Sequence, residues 1–133
     1  MTSPTVGRVI ADAMAAPTGR AKLEVLTEGH IQLATEADDI MRIVERAAPS
    51  SVTAQEFLDV ANQRHIEALE TIVRSIADDE DLVEGLSIED AAKIIFFHFR
   101  NPQLILAVET FGWGVDRARQ WIFGQVAVAI LKG

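Results

Sequence analysis

The chain has 133 residues, of which 49% are hydrophobic and 24% charged, and its formal net charge is −8. This length suits a single domain over residues 1–133, and the composition excludes a disordered chain. The sequence contains no cysteine, which excludes disulfides, thiol catalysis and cysteine metal sites. No apolar run approaches the ~18 residues of a membrane span, and the N-terminal residues lack the pattern of a secretory signal. We therefore expect a cytoplasmic protein without membrane contact, and the acidic balance predicts no direct nucleic-acid binding by this chain alone.

Helix-breaking residues divide the sequence into about six predicted helices, and no Asn-Gly or Asp-Gly hairpin turn occurs. The fold class predicted is therefore all-α, a single helical bundle. The predicted helices cover roughly residues 4–15, 18–37, 40–44, 53–76, 88–99 and 115–131. Thr53 and Glu56 have the spacing of a capping box, which predicts where the long fourth helix begins. Ser87 is the predicted N-cap of the fifth helix.

Two of the predicted helices are apolar on every side, in the runs 94–99 and 121–131. A helix that is apolar all round must be covered all round, and a domain this small leaves much of its surface in water. We therefore expect a homodimer in which the last two helices of each chain form an intermolecular four-helix bundle. The predicted interface residues are Ile95, Phe99, Leu106, Trp113, Trp121, Ile122, Val126 and Ile130.

The C-terminal third of the sequence resembles the corresponding end of many TetR-family transcription regulators. The resemblance is carried by the segment from Ile88 to Pro102, then by Gly112-Trp113, and then by Trp121 near the start of the final helix. It covers about residues 86–131. It implies an all-helical domain that binds an effector and dimerises through its last two helices.

The resemblance also implies a function for the intact protein. A small, largely hydrophobic ligand bound in this domain would alter DNA binding by a helix-turn-helix domain, which is not present in this chain and is expected before Met1. Repression relieved by ligand and activation by ligand are equally open. If translation starts at Met1, the alternative is a stand-alone helical homodimer that acts as an interaction module without a ligand.

The polar residues offer no catalytic or metal-binding pattern. His30, His65 and His98 are the three histidines, and none has the spacing of a zinc or di-iron site. The adjacent carboxylates of Asp38-Asp39 and of residues 78–81 are expected to point apart rather than converge on one site. Residues 78–81 also lack calcium-loop spacing and are expected to form a solvated turn. No nucleophile or phosphate-binding motif occurs. We therefore expect no enzyme activity, no catalytic residues, no metal and no cofactor.

The apolar helix faces have two interpretations. They are most simply the core of the bundle, with His30 and His65 as core or boundary histidines bonded to backbone or water. They also suit the wall of a ligand pocket, because such pockets combine apolar and aromatic side chains with a few polar groups. The pocket residues predicted on this second interpretation are Leu26, His30, Met41, Phe57, Ala61, His65 and Phe96.

Overall fold

The computed structural model describes residues 4–36 and 38–133, leaving out the side chains of Pro4, of 33–41 and of Asn101. Within this part of the chain the fold is all-α, as predicted, and six of its helices have ten residues or more. The helices are α1 (Pro4–Ala15), α2 (Gly19–Glu36), α3 (Asp38–Ala47), α4 (Val52–Asp78), α5 (Ile88–His98), α6 (Asn101–Ile105) and α7 (Val115–Ile130). A 3₁₀ turn, Ala48–Ser50, precedes α4, and α6 continues into a π-helical turn, Leu106–Thr110.

The N-terminal helices α1 and α2 form a tightly packed pair. Gly29 lies in α2 where a Cβ atom would come within 2.5 Å of the Val9 side chain, so only glycine allows this approach. The buried ammonium group of Lys22 donates hydrogen bonds to the carbonyls that end α1, those of Ala13, Met14 and Ala16 at 2.8–3.3 Å. A cation at a helix C-terminus satisfies carbonyls that have no partner within the helix. Lys22 therefore fixes α1 on α2.

The long helix α4 begins two residues earlier than the sequence predicts. Ser51, rather than Thr53, is the N-cap, and its hydroxyl accepts from the backbone N–H of Ala54 at 3.2 Å. The prediction of a capping box at Thr53 and Glu56 was wrong because Ser51 offers the same hydroxyl chemistry two residues earlier, directly after the 3₁₀ turn. The helix then extends to Asp78 and packs against α5 along its second half.

The N-cap predicted for α5 is confirmed, since the Ser87 hydroxyl accepts from the backbone N–H of Asp90 at 3.0 Å. The helix ends at His98 with Phe99 as its C-cap, and the extended backbone of Arg100 separates it from α6. After the π turn, Gly112 takes a positive φ of 71°, and the N–H of Trp113 donates to the Ala107 carbonyl at 3.0 Å. Glycine suits this position because it enters the left-handed region without steric cost.

The acidic loop after α4 closes one end of the bundle and is not simply solvated. The carboxylate of Asp81 accepts from the backbone N–H of Gly19, at the start of α2, at 2.8 Å. The backbone carbonyl of Asp81 accepts from Lys132, and the N–H of Val83 donates to the Ile130 carbonyl. The loop therefore connects α2 to the C-terminal end of α7, and Asp81 corrects the expectation of a purely solvated turn.

The core lies where α2, α4, α5 and α7 meet. Its buried members come from these four helices and also from α1, α6 and the π turn, which supply Val9, Ala13, Leu104 and Ala107. The largest fully buried side chains are Leu23, Ile72, Val73, Ile76, Ile95, Val126 and Ile130. Among the described residues, no helix is both long enough and apolar enough to cross a membrane.

Candidate functional site

His30 is a buried polar residue on α2. Its side chain is 8% exposed, and its ring stacks on that of Phe99 with centroids 5.3 Å apart and planes 9° from parallel. The Nε2 atom of His30 has no hydrogen-bond partner among the described residues. A buried polar atom without a partner costs free energy, so a molecule that supplied the missing hydrogen bond at this atom would be stabilised.

A second histidine lies beside the first. His65 on α4 meets the ring of Phe96 edge-on, with centroids 5.3 Å apart. The guanidinium of Arg100 lies over the same ring, 5.0 Å from its centroid. Phe96, Phe99 and Arg100 belong to the end of α5 and the break that follows it. We call these five residues, which come from three parts of the chain, the His–Phe cluster: His30, His65, Phe96, Phe99 and Arg100.

The two histidines interact electrostatically. Burial, and to a smaller extent the charge of His65, lower the pKa of His30 from its usual 6.5 to about 4. The pKa of His65 is also lowered, first by desolvation among its neighbours and then by the charge of Arg100, although the residue is exposed to solvent. Near neutral pH the cluster therefore presents a neutral, buried imidazole at His30.

The structure brings together some of the predicted pocket residues and not others. His30, His65 and Phe96 belong to the cluster, and Leu26 is buried in the core on the same helix as His30. Ala61 is half-buried on α4, one turn before His65. Phe57 is 53% exposed, so its ring is on the outer surface of α4 and the prediction that it lines a pocket was wrong. The side chain of Met41, like those of Asp38 and Asp39, lies outside the described residues.

Two residues of the cluster were not predicted as ligand contacts. Phe99 was assigned to the dimer interface, and Arg100 was not singled out. Phe99 follows Phe96 at a spacing of three, which places side chains on one side of a helix, and this spacing was the available signal. Arg100 has extended backbone beyond the end of α5, so helical spacing does not predict its position.

A groove of about 840 Å³ lies elsewhere, between α1, α2 and α7. None of the six predicted pocket residues whose side chains the structure describes lines it. Two polar contacts cross the groove, since Arg119 binds Glu28 and Arg8 donates to Gln32. The Nε atom of Arg119 is buried and has no partner among the described residues. The groove is therefore an open surface channel with a mixed apolar and polar lining, whereas the His–Phe cluster is built from stacked and edge-on aromatic rings.

Most of the predicted dimer-interface residues are inside the chain's own core. Ile95, Phe99, Ile122, Val126 and Ile130 are all buried. A side chain that is already covered by its own chain is not free to contact a second copy, so the prediction was wrong for these five. The other three predicted residues, Leu106, Trp113 and Trp121, are partly or largely exposed.

Exposed apolar side chains continue along the π turn and α7. The Trp113 ring lies 5.5 Å from that of Phe111 and 6.0 Å from that of Trp121. Val128, which is 85% exposed, follows Trp121 at a spacing of two helical turns. We call these four residues the C-terminal apolar surface: Phe111, Trp113, Trp121 and Val128. Phe111 and Val128 were missed, although the spacing of Val128 from Trp121 could have identified it.

Within the described part of the chain, no group of three His, Asp or Glu side chains is placed to hold a metal ion. The contacts of His98 are with residues outside the His–Phe cluster. Its Nδ1 is 2.8 Å from the carbonyl of Ile94 on its own helix, and its ring meets Phe97.

Comparison with known proteins finds no similar protein. No protein-family model matches the chain, and neither the curated proteins nor the solved structures give a significant match. The functional assignment therefore depends on the geometry described above and on the sequence pattern of residues 86–131.

Proposed function

We propose that this chain is the effector-sensing and dimerisation domain of a TetR-like transcription regulator of the cytoplasm. It binds a small, largely hydrophobic ligand, forms a homodimer and does not itself contact DNA. The observation that carries the proposal is the buried His30, whose Nε2 has no partner among the described residues and whose ring lies against Phe99.

The composition of the His–Phe cluster supports ligand binding. Sites for small apolar molecules are lined by aromatic and aliphatic side chains with a few polar groups that fix orientation. The cluster supplies the rings of Phe96 and Phe99, with one polar atom at His30 that a ligand would satisfy. Because α2, α4 and α5 all contribute, a ligand there would touch three helices at once.

The position of the cluster supports a signalling role. Phe99 and Arg100 form the break between α5 and α6, and α6 leads through the π turn to Phe111 and Trp113. A ligand that favours one arrangement of this break would favour one placement of the C-terminal apolar surface. Such a ligand shifts the populations of two dimer geometries in proportion to its difference in affinity for them. In the intact regulator, that shift would change the spacing of two DNA-binding heads.

The test is a thermal-melting screen of the purified chain against a panel of small apolar and aromatic compounds. A ligand that binds the folded state raises the melting temperature in a concentration-dependent manner. We expect compounds that stabilise the wild-type chain to lose that effect in His30→Leu and to keep it in the control His98→Leu. Hits that stabilise His30→Leu as strongly as the wild type would refute the assignment of the site.

A second candidate function is a stand-alone homodimer that acts as an interaction module. Two observations favour it: the C-terminal apolar surface, and the location of the 840 Å³ groove away from His30. Exposed aromatic groups of this kind mark protein contact surfaces. A chain that dimerises, but whose melting temperature no compound in the panel raises, would favour this second function.

A further inference from the structure

The groove between α1, α2 and α7 has the size of a small-molecule site, since its volume of about 840 Å³ lies within the usual range of ~300–1,000 Å³. Its apolar lining includes Val9 from α1, Val25 from α2 and Phe123 from α7. The Arg20 guanidinium lies over the Phe123 ring, 4.8 Å from its centroid, and holds that ring at the groove wall. Val25 and Phe123 are only half-buried, so a molecule in the groove would remove apolar surface from water.

Two arginines line the groove beside one stretch of α2. Arg8 from α1 donates to the Gln32 side chain. Arg119 from α7 binds the Glu28 carboxylate and also contacts the exposed carboxylate of Asp116. Gln32 follows Glu28 by one helical turn, so both arginines are held against neighbouring turns of α2. The Nε–H of Arg119 is buried and has no acceptor among the described residues, and an anionic group between the two arginines would supply one.

The carboxylate of Asp12 supplies the opposite charge. Asp12 lies on α1 one turn after Arg8 and lines the same groove. The other two carboxylates of the lining, those of Glu24 and Glu28, are each in an ion pair with an arginine. Within the described part of the chain, Arg8 and Asp12 are in no ion pair. The groove therefore presents one unpaired positive charge and one unpaired negative charge, roughly 6 Å apart along the axis of α1.

From this arrangement we propose that the groove binds a small zwitterion, a molecule with a carboxylate and an ammonium group on opposite sides of an apolar body. The carboxylate binds Arg8 and the Nε–H of Arg119, the ammonium group binds Asp12, and the apolar body covers the half-buried apolar lining. A molecule with a single charge leaves one of the two unpaired groups on α1 without a partner. The groove is not lined by His30, so this inference goes beyond the proposed function and does not depend on it.

The experiment is an NMR titration of the purified chain with 4-(aminomethyl)benzoate, and with benzoate and benzylamine as matched probes of single charge. The readouts are the backbone amide of Gly29 and the side-chain Nε–H of Arg119, because both residues line the groove. The amide of Gly85, in the loop after α4, is the internal control. Exposed ion pairs contribute little each, so we expect the zwitterion to bind in the millimolar range, about fivefold more tightly than either probe of single charge.

Two substitutions separate the two charges. Asp12→Asn should weaken the binding of the zwitterion and of benzylamine about fivefold and leave benzoate binding unchanged. Arg8→Gln should weaken the binding of the zwitterion and of benzoate by about the same factor and leave benzylamine binding unchanged. Asp59→Asn is the matched control, because Asp59 is an exposed helical carboxylate that does not line the groove. Arg8 and Asp12 are both exposed, so both variants should fold.

Each result decides one part of the inference. If the zwitterion shifts the Gly29 and Arg119 signals no more readily than benzoate and benzylamine do, the zwitterion inference is overturned. If Asp12→Asn weakens binding no more than Asp59→Asn does, the role of Asp12 is overturned. His30→Leu should bind the zwitterion as tightly as the wild type, and a loss of binding in this variant would overturn the groove as the site. An absence of any shift overturns the groove site and leaves the proposed ligand site at His30 to its own test.

Discussion

The burial of His30 predicts a pH-dependent loss of stability that a single substitution removes. The pKa of His30 is about 4 in the folded chain against a usual 6.5, because burial disfavours the charged ring. Between these two values the unfolded chain binds a proton that the folded chain does not. Stability is therefore fully present above the unfolded pKa and falls as the pH drops toward the folded pKa.

The size of the effect follows from the shift. A difference of roughly 2.5 pKa units corresponds to about 3 kcal/mol, a large part of the ~5–15 kcal/mol stability of a typical domain. The variant His30→Leu has no proton to bind at this position and keeps an apolar side chain against Phe99. We expect the wild type to lose about 3 kcal/mol more than His30→Leu between about pH 7 and pH 4.

The assay is urea denaturation followed by circular dichroism at both pH values, for both proteins. The carboxylates titrate in each protein and cancel in the comparison, so the difference reports His30 alone. Equal losses in the two proteins would refute the reasoning, because they would mean that the His30 ring takes up its proton in the folded chain without penalty.

Three further predictions concern packing and association. Lys22→Met should lower the free energy of unfolding in urea by about 3 kcal/mol, since three carbonyls at the end of α1 lose a charged donor. An unchanged urea midpoint of unfolding would contradict this prediction. Gly29→Ala should lower the free energy of unfolding by about 1–3 kcal/mol, because its Cβ would meet Val9. The control Gly7→Ala places its Cβ where no atom lies within 4 Å and should raise the free energy of unfolding by up to ~1 kcal/mol. A change of the same sign in both variants would be evidence against the close approach of Gly29 to Val9. Val128→Glu should weaken a homodimer in sedimentation equilibrium while the equally apolar control Val52→Glu leaves it intact, and a dimer indifferent to both would move the interface elsewhere.

The sequence was sufficient to predict the fold class, because helix ends are set by local chemistry. The N-cap at Ser87 could be predicted because a hydroxyl stands directly before an acidic first turn. The bounds predicted for α1 are those observed. The start of α4 was misplaced because Ser51 and Thr53 carry equivalent hydroxyls two residues apart. Only the geometry of the preceding 3₁₀ turn selects Ser51.

The burial of individual side chains was harder to predict. In α7, apolar residues surround the helix, so the pattern does not reveal that Ile122 faces the chain's own core while Trp121 faces outward. In α4, Phe57 was expected inside, yet its neighbour Leu58 is the buried residue. When two faces of a helix are both apolar, hydrophobicity alone does not indicate which face is buried. The buried face is determined by the helices that pack against it.

The most direct test of the central claim is a crystal structure of this chain with the compound that stabilises it most. The account predicts that the compound contacts His30 between α2, α4 and α5, and that two copies meet through the C-terminal apolar surface. A compound bound only in the groove between α1, α2 and α7, with His30 still stacked on Phe99 and unpartnered, would contradict it.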